Sequence, residues 1–249
     1  MATMNLQDVL EEQRLLLEAI TRGEYCCLKH GLPYITPGIL SAQAFCEYKA
    51  VYELIESPRK PTASEAREYV KLILRAKRFL PRRLEGYFAL DTPLAALIHS
   101  VPIIGRPHSI VFTNGYVKAI VIGKVSKKHQ RLYISDRVKL YAYGLLAAKA
   151  KLPLGSYTRL ILVSANTRDK LLDGLRITYE WLQVGGSYPP RSQAYTIHFL
   201  AHDEALEEEL LSPLLAYWRG ERDEKPNPGP WCKTCPFKEK CPLSSPHRY

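Results

Sequence analysis

No apolar run in the chain approaches the roughly 20 residues that a membrane-spanning helix needs. The opening Met1-Ala-Thr-Met-Asn5 has neither the basic nor the apolar region of a secretory signal. These two absences lead to the expectation of an intracellular, cytoplasmic protein with no membrane partner. No internal repeat and no low-complexity tract is present, which excludes stacked-repeat architectures and disordered spacers. Asn and Gln are scarce while prolines number 18, a composition that leans toward a thermophilic source. Acidic residues are in deficit, 25 against 35 Lys and Arg, for a formal charge of +10.

With 249 residues, 46% of them hydrophobic, the chain can bury the core of one large domain or two small ones. The reading taken is a single domain over residues 1–249. The basic residues bunch. Arg75, Lys77, Arg78, Arg82 and Arg83 lie together, as do Lys124, Lys127, Lys128, Arg131, Arg137 and Lys139. Such clusters read either as a solvated face or as the footprint of a polyanion.

Six cysteines in a reducing compartment favour metal binding over a disulfide framework. Cys232, Cys235 and Cys241 stand as C-x-x-C-x-x-x-x-x-C, a spacing that turns three thiolates toward one centre and wants a fourth. Cys46, amid aromatic and basic residues near the other end of the chain, is the expected fourth. Zinc and an iron-sulfur cluster both suit four cysteines, and a disulfide-bonded or merely reduced tail is the plain alternative. Any such site would staple a polar, proline-rich tail to the N-terminal part. Cys26 and Cys27 read as ordinary buried thiols and remain spare ligands.

Apolar residues at helical spacing predict a helix over residues 5–22, stopping at Gly23. Thr36-Pro37 opens another, expected to run to about Ser57-Pro58 with Cys46 in its middle. Thr62-Ala-Ser-Glu65 is a capping box whose helix turns Val70, Ile73 and Leu74 inward. Short apolar stretches over 86–90 and 94–104 follow. The runs 109–113 and 116–125 then flank Asn114-Gly115, a strong hairpin signal. A helix over 135–150, strands over 157–164, 175–182 and 195–200, and a helix over 203–219 complete the reading. The fold class is α/β, a mixed sheet flanked by helices. Residues 24–80 form an N-terminal helical part, 81–200 the sheet core, and 201–249 the last helix and cysteine-rich tail.

With Cys46 near a helix start, a hairpin, a helix, a strand and then C-x-x-C-x-x-x-x-x-C-P, the chain resembles the Cas-four family of CRISPR-associated exonucleases, which belong with the RecB-like, PD-(D/E)-x-K nucleases. The likeness spans roughly residues 36–243. It implies a restriction-endonuclease-type core closed by an iron-sulfur cluster, 4Fe-4S rather than 2Fe-2S, on Cys46, Cys232, Cys235 and Cys241. It also implies DNA, single-stranded or at its ends, as ligand, and CRISPR integrase proteins as partners in spacer acquisition. The family carries G-x-x-D, E-x-K and Q-x-x-x-Y. Here these positions read Gly105-Arg-Pro-His108, Ile122-Gly-Lys124 and Lys139-Leu-Tyr-Ala-Tyr143. The glycine, lysine and last tyrosine match; the aspartate, glutamate and glutamine do not.

A nuclease of this kind uses two carboxylates to hold Mg2+ or Mn2+, which polarises the phosphate and supplies a hydroxide. Ile122 cannot bind a metal, and it shares a strand face with Lys124. His108 is a weak single ligand for Mn2+. Lys124, His108 and Tyr143 therefore keep the family's catalytic positions without its acids. Glu85, Asp91 and Asp136 are the nearby acids that would have to rebuild a centre for an active exonuclease. The expectation is a DNA-binding relative that has lost the cutting metal. Phosphate contacts would come from Arg82, Arg83, Lys127, Lys128, Arg131, Arg137 and Lys139, with base stacking from Tyr141 or Tyr143. His99 reads as a partly buried strand residue, and Gly185-Gly186 as a turn.

Overall fold

A computed structural model describes residues 5–25, 28–56, 60–81, 85–128 and 130–241. Cys26, Cys27, Arg82 and Arg83 lie outside the described residues. The helical part begins with α1 (Leu6–Thr21), α2 (Pro37–Phe45), α3 (Glu47–Glu56) and α4 (Ala63–Phe79). Strands β1 (Tyr87–Leu90), β2 (Leu94–Ile98), β3 (Val101–Gly105), β4 (Ser109–Thr113) and β5 (Tyr116–Val125) follow. Helix α5 (Ile134–Lys149), β6 (Leu154–Ala165), α6 (Arg168–Val184), β7 (Tyr195–Ala201) and α7 (Glu204–Trp218) complete the order. Among the described residues no helix is long and apolar enough to cross a membrane.

Five strands form one sheet in the order β1-β4-β5-β6-β7. It is mixed: β5 and β6 run parallel, joined through α5, while the other neighbours are antiparallel. Alternation along β5 divides the core. Val117, Ile120 and Ile122 face α5 and the helical part, while Ala119 and Val121 face α6. The hairpin of β2 and β3 stands apart as a second, two-stranded sheet, to which Ile35 adds a short bridge. The helix starts are written locally. Asn5, Thr36, Thr62, Thr167 and Asp203 each accept a backbone N–H of the first turn. Asn114 and Gly115 both take positive φ, as the tight turn between β4 and β5 requires.

Several expectations are corrected. The helix from Thr36-Pro37 breaks at Cys46, whose φ of −165° and ψ of 118° are extended, so Cys46 lies between α2 and α3 and not inside a helix. Residues 175–182 are helix. Leu171, Gly174, Leu175, Thr178, Trp181 and Leu182 are buried at a 3.6-residue period, which the inner half alone does not reveal. Gly185, with φ of 77°, ends α6 as its left-handed cap. His99 and Ser100 form the turn between β2 and β3, both at positive φ, so His99 is not a strand residue. Only half of the capping box forms. Thr62 accepts from Glu65 N, while the Glu65 carboxylate accepts from the hydroxyls of Tyr34 and Tyr69 instead. On α4, Ile73 is buried but Leu74 faces out.

Candidate functional site

Helix α5 starts with its first turn against the end of β5. Lys124 comes out of β5 on the α5 side, two residues beyond the buried Ile122, and its ammonium meets Asp136 Oδ1 at 2.5 Å. The other oxygen, Oδ2, accepts from Tyr133 N at 3.2 Å, so Asp136 both caps the helix and neutralises Lys124. Lys124 also lies 5.8 Å from the centre of the Tyr133 ring. Asp136, Lys139 and Tyr143 follow one another at spacings of three and four along one stripe of α5. Tyr143 is buried, its hydroxyl donating to the carbonyl of Arg106 at 3.0 Å, and desolvation pushes its pKa up. It supports the chain after β3 and is closed to stacking on a base. Gly105 fits beneath it because a Cβ there would stand 2.7 Å from the tyrosine ring and 2.8 Å from Pro37.

Lys139 is half-buried, unlike the exposed basic residues around it. Desolvation, and then the neighbouring Lys124, hold its pKa below the usual lysine value. The motif positions do not all converge. The His108 ring lies over Gly123, with Leu171 of α6 alongside, on the face of β5 opposite Lys124. Its Nδ1 accepts from Gly123 N at 2.9 Å. Desolvation, aided by Lys139, keeps its pKa low. The proton therefore sits on Nε2, and in this arrangement the ring is a neutral donor without a free lone pair for a metal. Of the other acids considered, Asp91 is held by Arg106 through two contacts of 2.9 and 2.6 Å.

Around this cleft, Lys127, Lys128, Arg131 and Arg137 are exposed, and among the described residues none has an acidic partner within ion-pair distance. The other basic cluster is partly committed to structure: Lys77 is paired with Glu11 at 2.5 Å, while Arg75 and Arg78 stay exposed.

The cysteines come together from both ends of the chain. Cys46, Cys232, Cys235 and Cys241, all unbridged, line one cavity of about 190 Å³. Its walls are aromatic. Tyr48, Tyr52 and Phe237 stack in sequence at 6.3 and 5.6 Å, and Phe45 meets Trp231 at 5.4 Å. Among the described residues no three His, Cys, Asp or Glu side chains are close enough to hold a single metal ion as they stand. Successive turns shape the tail: Cys232 N bonds Gly229 O, Cys235 N bonds Cys232 O, and Cys241 N bonds Lys238 O.

The tail also has a docking of its own, which the sequence does not announce. Arg222 grips the buried Glu47 at the start of α3, with one contact at 2.8 Å and a second, closer one, and Lys225 N donates to the same carboxylate. Burial pushes Glu47 up, yet these donors and Gln43 outweigh it and hold the pKa below the ordinary carboxylate value. Asn227 donates to the Phe45 carbonyl at 2.8 Å, closing the helix break beside Cys46. Tyr48 and Tyr52, four residues apart, were the one hint of the wall in the sequence. Glu47 and Arg222, 175 residues apart, gave none. Phe45 and Lys49 line both the cysteine cavity and a smaller one that reaches Ser135 at the start of α5.

The chain matches no protein-family model and no curated protein. Among solved structures it is similar to the crystal structure of SSO0001, at 16% identity over 93% of this chain and 96% of that one, with a TM-score of 0.37. What the structure itself defines is an α/β protein with a mixed sheet flanked by helices.

Proposed function

We propose that the chain is an iron-sulfur, DNA-binding protein with a RecB-like core of the Cas-four kind, whose cutting centre has given way to a basic cleft. The observation that carries this reading is the environment of Lys124. The position two residues before it is the buried Ile122, its carboxylate partner Asp136 is engaged on both oxygens, and the next charged residue on the same stripe of α5 is another lysine, Lys139. Such a cleft attracts phosphate and repels a divalent cation. The exposed Lys127, Lys128, Arg131 and Arg137, without acidic partners among the described residues, extend it as a backbone-binding rim.

Cys46, Cys232, Cys235 and Cys241 would hold the cluster. Four thiols around a cavity suit a polynuclear cluster with its own bridging sulfides better than one zinc ion, which draws thiolates to about 2.3 Å from a single centre. Its contribution is a covalent tie between the α2–α3 break and the tail. In the CRISPR setting that the family resemblance implies, such a protein recognises DNA ends alongside the integrase proteins and cuts nothing itself.

The test is iron and zinc analysis with a visible spectrum of anaerobically purified protein, paired with a labelled single-stranded DNA assay with and without Mn2+. A brown, iron-containing protein that binds in EDTA and leaves the strand intact is the expected result. Mn2+-dependent cleavage that disappears in Lys124→Ala would replace this reading with that of an active exonuclease using Asp136. A colourless zinc protein would remove the iron-sulfur part.

A further inference from the structure

Lys139 is the unexplained group of the cleft. It is half-buried, and among the described residues no acceptor lies within hydrogen-bond or ion-pair distance of it. The charges that act on it are Lys124 and Asp136. Asp136 is already divided between Lys124 and Tyr133 N, and Asp91 is held by Arg106. Two ammonium groups and one carboxylate leave a positive charge uncompensated in a place partly withdrawn from water. That arrangement is unfavourable until an anion joins it.

We infer that Lys139, with Lys124 beside it, is a metal-free seat for a phosphate monoester, the terminal phosphate of a DNA strand. This rests on the DNA-binding reading and names the part of the DNA that the cleft takes. Two features select an end over the middle of a strand. A terminal phosphate carries close to two negative charges at neutral pH and an internal phosphodiester one, so the partly desolvated cations gain more from the terminus. The cleft is also closed one turn beyond Lys139. There Tyr143 is buried and bonded to the Arg106 carbonyl, and its ring and Pro37 stand so close to Gly105 that even a Cβ would not fit between them. A chain end reaching Lys139 past Lys127, Lys128, Arg131 and Arg137 therefore meets packed protein and not a continuing groove. An ammonium thus takes the phosphate-binding role that a divalent ion would otherwise play.

The experiment measures binding of the full-length, anaerobically purified protein to one oligonucleotide in three forms: 5′-phosphorylated, 3′-phosphorylated and hydroxyl-ended. All titrations are in EDTA, with inorganic phosphate as competitor. One phosphorylated form is expected to bind about tenfold tighter than the hydroxyl-ended strand, the gain of one charge-assisted contact. Lys139→Gln should bring the two to near parity, and Lys139→Arg should retain most of the preference. A thermal melt of each variant checks that the fold is intact. Equal binding of all three strands by the unaltered protein, a preference that needs Mg2+, or one that survives in Lys139→Gln overturns the inference and leaves DNA binding standing. No binding of any strand overturns both. Inorganic phosphate competing as well as the phosphorylated strand supports the seat and assigns free phosphate as its occupant.

Discussion

Glu207, on the first turns of α7, is fully buried against α5, and its carboxylate lies where a side chain on Gly144 would begin. A Cβ there would stand 2.5 Å from Oε1. One oxygen accepts from Asp203 N and pairs with His202 Nδ1 at 2.9 Å, while Oε2 has no partner. Alanine normally stabilises a helix interior relative to glycine. Here Gly144→Ala should do the reverse and lose roughly 1–3 kcal/mol, because the buried carboxylate has no room to yield. Chemical denaturation reads the sign directly. The pair also has a pH signature. Burial raises the Glu207 pKa, and the bond to Glu207 raises that of His202. Groups with raised folded-state pKa values stabilise at low pH, and that stability is lost as pH rises through the raised values. The melting temperature should therefore fall as pH rises above 4.5, where the share of Glu207 begins to be lost, and further above 6.5, where that of His202 does. His202→Gln should flatten this slope, and an unchanged slope would place the titrating group elsewhere. At His108, nitrogen NMR should find the Nε2–H tautomer at neutral pH, with no shift on adding Mn2+.

At the scale of elements, the junction between α2 and α3 decides where the tail goes. Gln43 on α2 donates to Leu214 O and to Glu47, and accepts from Trp218 Nε1 at 2.8 Å, so α2 and α7 are tied before the tail begins. Arg222 then closes on Glu47, four residues past the end of α7 at Trp218 and just after the turn through Gly220. Removing one partner of a buried pair leaves the other charged and unpaired, so Arg222→Ala should cost roughly 3 kcal/mol. It should also release the tail to protease and, on the proposed reading, lower the iron content of the purified protein. Glu47→Gln combined with Arg222→Leu should recover part of the stability. If tail protection is the same in Arg222→Ala as in the parent, the cysteines are placed by something other than this pair. The α2–α3 break was not legible because Gly38, the prolines and the cap of the helix all precede it, and nothing at Cys46 itself forbids a helix. What satisfies the Phe45 carbonyl at the break is a donor from Asn227, far along the sequence. Residues 175–182 were misjudged for a related reason. Their apolar density suits a strand as well as a helix, and the deciding evidence is the cap at Thr167 and the period of the whole segment through Val184.

At the scale of the molecule, the cavity that adjoins the cysteines across Phe45 and Lys49 reaches Ser135, in the first turn of the helix that carries Asp136 and Lys139. A strand bound in the basic cleft interacts with the rim chiefly through its phosphates. Changing Lys127, Lys128, Arg131 or Arg137 to Ala should weaken DNA binding without regard to sequence, and each should lower the slope of log affinity against log salt by about 1. Titrations at several salt concentrations check this; variants that leave the slope intact would show the rim to be only a solvated surface. Lys77→Ala, which removes the partner of Glu11, should instead appear as a stability change with the salt slope preserved.

The sequence alone was enough to determine the elements whose signals are local. These are the helix starts at Thr36 and Thr62, the Asn114-Gly115 hairpin, the strand over 157–164, the charge excess, and a set of four cysteines split between the two ends. Each depends on residues within a few positions of one another, where backbone sterics and side-chain period act without help. The tertiary structure alone decided what those residues meet. It set Asp136 against Lys124, turned His108 to the far face of β5, buried Tyr143, and left Lys139 half-buried with no partner among the described residues. It also broke the helix at Cys46 and brought the tail to that break through Glu47 and Arg222. Contacts between residues far apart in the chain are chosen by the packing of sheet and helices, and their energies depend on burial, which no stretch of sequence carries by itself.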